Sequence, residues 1–311
     1  MKLSNRILQI SESSTTKLMG QVQQLKAEGK DIISFNAGEP DFNSPDPILK
    51  GTIDALNSGK TKYGAVPGQA DVRSAIADKL QRENGIAATA DNILIANGSK
   101  QILYAIFQAL CDPGDEVIVL KPYWVTFPEG IKLAGGVPVF VDTVKHQPDL
   151  ELIKAAITDK TKAILINSPN NPTGAVYSRE ALHAIGQLAV EREIFVISDE
   201  AYEGLVYDGA EHISMASLDP DFSDWVLTSQ TFSKSYCMTG FRVGYLHASA
   251  ALIKVMNRMH SHLTGNVCTF AQYGAKSALE MDPAIMREMQ DTFQRRLDLA
   301  YPLCTELFDC V

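Results

Sequence analysis

Val226-Leu227-Thr228-Ser229-Gln230-Thr231-Phe232-Ser233-Lys234-Ser235-Tyr236-Cys237-Met238-Thr239-Gly240-Phe241-Arg242-Val243-Gly244-Tyr245-Leu246-His247 is the stretch on which the reading of this chain turns. It opens as an apolar strand, Val226 to Thr228, passes through a hydroxyl-rich loop around one lysine, and returns as a second strand, Val243 to His247. Short apolar runs of the same kind recur at Ile93 to Ile95, Glu116 to Leu120, Val137 to Val141, Ala163 to Asn167 and Ile194 to Ser198. Such runs suit strands buried on both faces. Stretches of helical period lie between many of them: Ala70 to Glu83, closed by Asn84-Gly85; Gln101 to Leu110, ended by Asp112-Pro113-Gly114; and Glu180 to Arg192. Strands alternating with helices predict an α/β domain with a mostly parallel sheet. The ends differ. Residues 15–28 read as a lone helix before the loop Asn36 to Asp41, and the chain is helical and charged again from Pro283. The expected division is a large domain at 47–282, with 1–46 and 283–311 as the two parts of a smaller one.

The 311 residues are 45% hydrophobic and 21% charged, enough for one large core and a second, smaller one. A net charge of −9, from 28 basic and 37 acidic residues, argues against nucleic acid as a partner. The cysteine count is odd and no C-x-x-C pair occurs, which fits a reducing cytoplasm better than a disulfide framework; no metal is expected. The start, MKLSNRILQISES, has no signal-peptide core, and no apolar run approaches the ~20 residues of a membrane span, so no membrane partner is expected.

Lys234 alone would read as ordinary surface. Thr231 three residues before it and Arg242 eight residues after change that reading. A hydroxyl and a guanidinium flanking one lysine suit a phosphate-bearing aldehyde, the lysine bonding the aldehyde carbon and the other two holding the dianion. Asp199, at the end of the strand Ile194 to Ser198, either caps a helix or serves as an anion paired with a protonated pyridine nitrogen, because ligands bind at that edge of open α/β sheets. Tyr202, three residues on, and Asn171, in the turn Asn167 to Gly174, are placed to meet a ring oxygen. Asn97-Gly98-Ser99-Lys100 opens a helix where a phosphate cradle is possible. Lys100 there opposes the helix dipole unless an anion lies nearby, the bland alternative being a lysine swung into water. Trp124 is either core or a flat platform for an aromatic ring.

Taken together, these stretches, with Asn36-Ala37-Gly38-Glu39-Pro40-Asp41-Phe42 and Lys62-Tyr63-Gly64, resemble the class I aminotransferases of pyridoxal-phosphate (PLP) fold type I, close to the aspartate and prephenate subgroup. The resemblance runs from the N-terminus to at least residue 280. It implies pyridoxal 5′-phosphate as cofactor and amino-acid and 2-oxo-acid substrates. Lys234 would be the Schiff-base lysine and proton shuttle, Asp199 the partner of the pyridine nitrogen, Tyr202 and Asn171 the contacts to the ring oxygen, and Trp124 the stacking face. Ser99 and Lys100 (through backbone N–H groups), Thr231 and Arg242 would hold the phosphate. Tyr63 matches a tyrosine that reaches the partner subunit's phosphate, which implies a homodimer. Gly38 matches a loop touching the substrate carboxylate. Lys100, with Ser13 and Thr15, matches positions that meet the distal carboxylate of acidic substrates. The family's arginine for the α-carboxylate falls beyond Val311, and none of the ten arginines lies in a loop resembling that site. The chain as written is therefore expected to be C-terminally truncated, able to bind PLP and poor at transamination. A PLP β-lyase or decarboxylase would use the same residues, and a non-catalytic PLP-fold regulator domain is the reading from another class.

Overall fold

The computed structural model describes residues 3–12, 14–35 and 38–308, with the backbone alone at 14–16. The strands are β1 (Ile93–Ala96), β2 (Glu116–Lys121), β3 (Val137–Val144), β4 (Gln147–Pro148), β5 (Thr161–Asn167), β6 (Phe195–Asp199), β7 (Val226–Thr231) and β8 (Gly244–His247). The longer helices are α1 (Ser14–Ala27), α2 (Asp46–Asn57), α3 (Ala70–Asn84), α4 (Ser99–Leu110), α5 (Thr126–Leu133), α6 (Leu150–Ala156), α7 (Arg179–Arg192), α8 (Ala250–Leu263), α9 (Thr269–Glu280) and α10 (Pro283–Leu307). The strands form one sheet in the order β1-β8-β7-β6-β5-β2-β3-β4.

The apolar runs become strands buried on both faces, except Val137 to Val141: it forms part of β3, near the sheet's edge, where Val137 and Phe140 are exposed and only Val141 is buried. Val117, Val119, Ala163, Leu165, Ile197 and Leu227 pack with α4, α5 and α8, while Ile118, Leu120, Ile164, Ile166, Val196 and Val226 pack with α7. Side chains alternate across a strand, so two apolar layers require an unbroken apolar sequence. A third cluster joins β1 and β8 to α3 and α9 through Ile93, Ile95, Tyr245, Ile76 and Ala275.

Strands β3, β2, β5, β6 and β7 run parallel in register. Strand β8 runs antiparallel to β7 and to β1. The sheet is thus mostly parallel, and β1 points the same way as the central strands. The loops after β1, β2, β5, β6 and β7 all open at one edge. Because β8 runs the other way, Arg242, two residues ahead of it, stands at that edge too.

Local chemistry sets the boundaries. Helix α3 stops at Gly85, which takes the left-handed conformation at φ 69°. Helix α7 starts at Ser178, whose hydroxyl accepts from the Ala181 N–H. Helix α4 begins at Ser99, two residues before the expected Gln101, because Gly98 at φ 80° turns the chain directly out of the strand. Strand β7 runs on through Ser229, Gln230 and Thr231, polar side chains that are nonetheless buried.

A close approach of backbones fixes β8 against the β1–α4 turn. A Cβ on Gly244 would lie 2.8 Å from both Gln230 O and Ser99 N, whereas one on Gly240 would meet nothing within 4 Å. Gly244→Ala is therefore expected to lower stability by about 1–3 kcal/mol, read as a drop in the urea midpoint. Gly240→Ala is expected to stay within about 0.5 kcal/mol of the parent. Equal effects at the two positions would refute this account of the packing.

Candidate active site

Asp199 ends β6, directly opposite Asn167 on β5 and Ser229 on β7. It is 3% exposed, and its Oδ1 is buried with no hydrogen-bond partner among the described residues. Burial pushes its carboxyl up to about 7, the Glu200 charge adds to this, and the Ala201 N–H opposes it. Asn167 Nδ2 donates to the Asp199 carbonyl at 3.0 Å, and Asn167 Oδ1 accepts from the Asn171 N–H at 2.7 Å. One side chain thus ties the β5 loop to the end of β6. Asn171 Nδ2 in turn donates to the Tyr202 hydroxyl at 3.1 Å. Burial raises the Tyr202 hydroxyl, the Asn171 bond lowers it, and the Asp199 charge raises it further. Asn171 and Tyr202 therefore come together as one polar pair beside Asp199.

Three cations stand around this edge. Lys234 lies three residues past β7; its ammonium donates to the Gly38 carbonyl and lies 5.9 Å from the centre of the Tyr202 ring. Burial lowers its pKa, Glu39 raises it, and Arg242 and Lys100 lower it again. Lys100 sits in the first turn of α4, its ammonium 4.9 Å above the Trp124 ring. Partial burial and the Arg242 charge hold its pKa below the ordinary lysine value. Arg242, left-handed at φ 57°, donates from Nη1 to Thr239 O at 2.8 Å and from Nη2 to Asn97 O at 3.5 Å. It lies against Gly98, where a Cβ would sit 2.7 Å from Nη2. Glycines 98 and 244 thus keep open the corner formed by the α4 N-terminus and the guanidinium. Thr231 Oγ1 is buried there, donating to Ser233 Oγ at 2.9 Å or to Val243 O at 3.2 Å. An open cleft of 760 Å³ shares Arg242 and Asn97 with this corner and runs past Glu39 and Phe42.

The structure thus gathers Lys234, Asp199, Tyr202, Asn171, Thr231, Arg242, Ser99, Lys100, Trp124 and Gly38 at one edge of the sheet. Tyr63 is not among them. It projects from the surface, 100% exposed. Ser13 and the Thr15 side chain lie outside the described residues. Sequence reasoning missed Asn167, and also the buried polar group beneath Asp199: Glu200, Glu203, His212, Lys79 and Gln230. Two signals were available. Gln230 is a large polar residue just after the apolar run Val226 to Thr228, and Lys79 falls on the face of α3 that carries Val72, Ile76 and Leu80. Glu200, Glu203 and His212 place ligand-type atoms within 4.8 Å of one another. The Lys79 ammonium already supplies a cation there by bonding Glu203.

The Asp199 shift has a consequence for stability. A carboxyl raised from 3.8 in the unfolded chain to about 7 in the fold favours the folded state fully below pH 3.8. That contribution is lost as pH rises to and through 7, by roughly 4 kcal/mol at 1.36 kcal/mol per pKa unit. In protein stripped of small molecules, Asp199→Asn is therefore expected to be more stable than the parent at pH 8 and no more stable at pH 4. Parallel stability–pH curves for the two proteins would contradict the burial argument.

Comparison with known proteins agrees with this geometry. The family model of class I and II aminotransferases matches residues 30–311. The aspartate aminotransferase of Bacillus subtilis is 41% identical over 100% of this chain and 80% of its own. A probable aspartate/prephenate aminotransferase of Aquifex aeolicus is 45% identical over 96% of this chain and 77% of its own. The aspartate aminotransferase of Thermus thermophilus, solved with maleate, superposes with a TM-score of 0.95 at 40% identity, covering 99% of this chain and 81% of that one. A family match over most of the chain, with relatives above 40% identity along nearly all of it, shows that the chain belongs to the class I and II aminotransferases.

Proposed function

We propose that this protein is a PLP-dependent aminotransferase that moves the amino group of an amino acid, with a preference for aspartate or glutamate, to a 2-oxo acid. One observation carries the reading: a buried carboxylate with an unpaired oxygen, Asp199, lies at the same sheet edge as three mutually repelling cations, Lys100, Lys234 and Arg242. Such a site calls for a ligand that is cationic at one end and anionic at the other.

Pyridoxal phosphate fits that description. Asp199 Oδ1 is the free acceptor for a protonated pyridine nitrogen, and the corner kept open by Gly98 and Gly244 suits a phosphate. The first N–H groups of a helix have no intrahelical partner, so those of Ser99 and Lys100 would donate to that phosphate together with Thr231 and Arg242. Asn171 and Tyr202 would hold the ring oxygen, and Trp124 would offer a flat face. When bound, pyridoxal phosphate supplies an electron sink for the charge left on the substrate Cα. Lys234 does the proton work. Its Nζ, with a pKa lowered by burial and by Arg242 and Lys100, would take the Cα proton as a base and deliver it as an acid to the cofactor's C4′ carbon.

The preference for acidic donors rests on Lys100, an exposed residue whose ammonium lies over the Trp124 ring and near enough to Arg242 to feel its charge. The maleate in the Thermus thermophilus structure is a dicarboxylate, which agrees with this reading. The full exposure of Tyr63 suits a tyrosine that completes a neighbour's site in a homodimer. The bidentate pair of Arg296 with Asp41, at 2.7 and 3.0 Å, and the Phe42–Phe293 edge contact at 5.5 Å support reading 1–46 and 283–311 as parts of one smaller domain beside 47–282.

Borohydride reduction of protein loaded with pyridoxal phosphate, followed by peptide mass mapping, is expected to find the cofactor on Lys234. Label on any other lysine would remove the assignment. A charge-assisted hydrogen bond is worth ~1.5–3 kcal/mol. Lys100→Ala is therefore expected to weaken aspartate roughly tenfold to over a hundredfold relative to alanine as donor. Equal losses for both donors would mean that Lys100 serves only the phosphate or the fold.

A further inference from the structure

Beside Asp199 lies a connected set of buried and half-buried polar side chains that the proposed reaction does not use. Glu200 is 1% exposed and Lys79 2% exposed. Glu200 Oε1 accepts from Ser198 Oγ at 2.9 Å and from the Met215 N–H at 3.3 Å. Its Oε2 accepts from Ser214 Oγ at 2.6 Å and Gln230 Nε2 at 3.0 Å, and meets His212 Nε2 at 3.2 Å. Glu203 Oε2 accepts from Asn84 Nδ2 and Gln230 Nε2, both at 2.8 Å, and Glu203 Oε1 accepts from Lys79. Lys79 spends its other protons on Asn84 Oδ1 at 2.9 Å and Gln230 Oε1 at 3.0 Å.

We propose that His212 is a positioning residue for Asp199: carried as an imidazolium, it balances with Lys79 the charges of Glu200 and Glu203, so that Asp199 alone of the three carboxylates is left to face the cofactor's ring nitrogen. The proposal rests on the reading of Asp199 given above. Glu200 accepts in every bond it makes to a group of fixed role, and His212, Ser214 and Gln230 hold its pKa below the ordinary value against its burial, so it is ionised. With four other donors on Glu200, the proton it shares with His212 belongs on the imidazole. Lys79 bonds Glu203 and not Glu200, so the cation that touches the buried Glu200 carboxylate among the described residues is His212, and an uncompensated buried charge is strongly disfavoured. His247 is not the balancing cation, because burial pushes it down to about 4.

Burial pulls the His212 pKa down, but its bond to Glu200 and the Glu200 and Glu203 charges outweigh both this and the repulsion from Lys79, leaving it above 6.5. On its other side a cleft of 410 Å³ between α3 and α10 brings Arg82, Glu83, Glu211 and Arg287 near it. His212 Nδ1 is buried without a partner among the described residues, whichever protonation state holds. Were His212 neutral, Glu200 would be an unbalanced anion one residue from Asp199. Asp199 would then tend to hold a proton of its own and lose its grip on a pyridinium.

The test has two arms. In wild-type protein with labelled histidine, the six His resonances are followed against pH, with His212→Gln giving the assignment. His212 is expected to lose its proton only above pH 6.5, later than an ordinary imidazole; a His212 that loses its proton below pH 6.5 would overturn the proposal without reference to any cofactor. In the second arm, equilibrium binding is measured for pyridoxal phosphate and for the isostere with its ring nitrogen replaced by CH. His212→Gln is expected to weaken the first about tenfold, the equivalent of one pKa unit at Asp199, and to leave the second unchanged. Adding Glu200→Gln, which restores the charge count, should recover most of the loss. Equal weakening of both ligands would show a merely structural role and overturn the proposal. If His212→Gln fails to fold, His212→Lys keeps a cation and is expected to retain the parent's preference between the ligands; loss of that preference would count against the idea. Wild-type protein that binds neither ligand would refute the proposed function instead, while the titration would still judge the charge on His212.

Discussion

Burying a carboxylate at the end of a central strand is unfavourable unless something pairs with it, and Asp199 is buried with one oxygen unpaired. Much of the surrounding structure follows from keeping it there. Strand β6 is held between β5 and β7, so Asp199 cannot shift along the sheet. Asn167 fixes its carbonyl, and the Glu200 N–H is bound to Ser229 O at 2.9 Å. The backbone on both sides of the side chain is therefore anchored by the ladder. A ligand bearing a positive nitrogen meets a charge that is already oriented, which is what preorganisation means in energetic terms.

The opposite charge is delivered by a different device. The cations come from three separate segments: the start of a helix (Lys100), the loop after β7 (Lys234) and the turn just ahead of β8 (Arg242). They can gather only because β1, β2, β5, β6 and β7 point one way and β8 the other. Had β8 continued the parallel pattern, Arg242 would lie at the far edge. The reversal also brings the β8 backbone against Ser99, which is why position 244 has no room for a side chain. The glycines at 98 and 244 are thus answers to one geometric problem, the close meeting of two chain segments around a guanidinium.

That division explains what the sequence made legible. The central strands could be found because burial on both faces demands unbroken apolar runs, and the site loops because each follows such a run. The parallel sheet and the residues at its edge were accordingly within reach, down to Lys234, Asp199 and Arg242. The direction of β8 was not, since its apolar pattern is the same whichever way it runs. Asn167 was quoted only as part of a turn, although its side chain joins two loops. Lys79, Glu203 and His212 come from segments up to 133 positions apart (79 to 212) and meet only in three dimensions. A lone lysine on an apolar helix face signals that such a partner exists without saying where it is.

The two halves of the site should therefore respond differently to substitution. The cationic rim is open to solvent in part and borders the cleft, so changes there act mainly on what is bound and how strongly, with screening by salt. The floor is mostly buried, with Asn84, Glu203 and His212 bordering a second cleft. Each of its polar groups is a partner of the next, from Lys79 through Gln230 and Glu200 to His212, and removal of one member leaves another buried without its partner. In such a set the electrostatic role and the structural role cannot be separated by a single deletion. They separate only when charge is changed while the number of partners is kept, as between glutamate and glutamine. On this view the apolar sheet supplies the rigidity of the site, and the hydrogen-bonded floor decides which of its three neighbouring carboxylates is left available to a ligand.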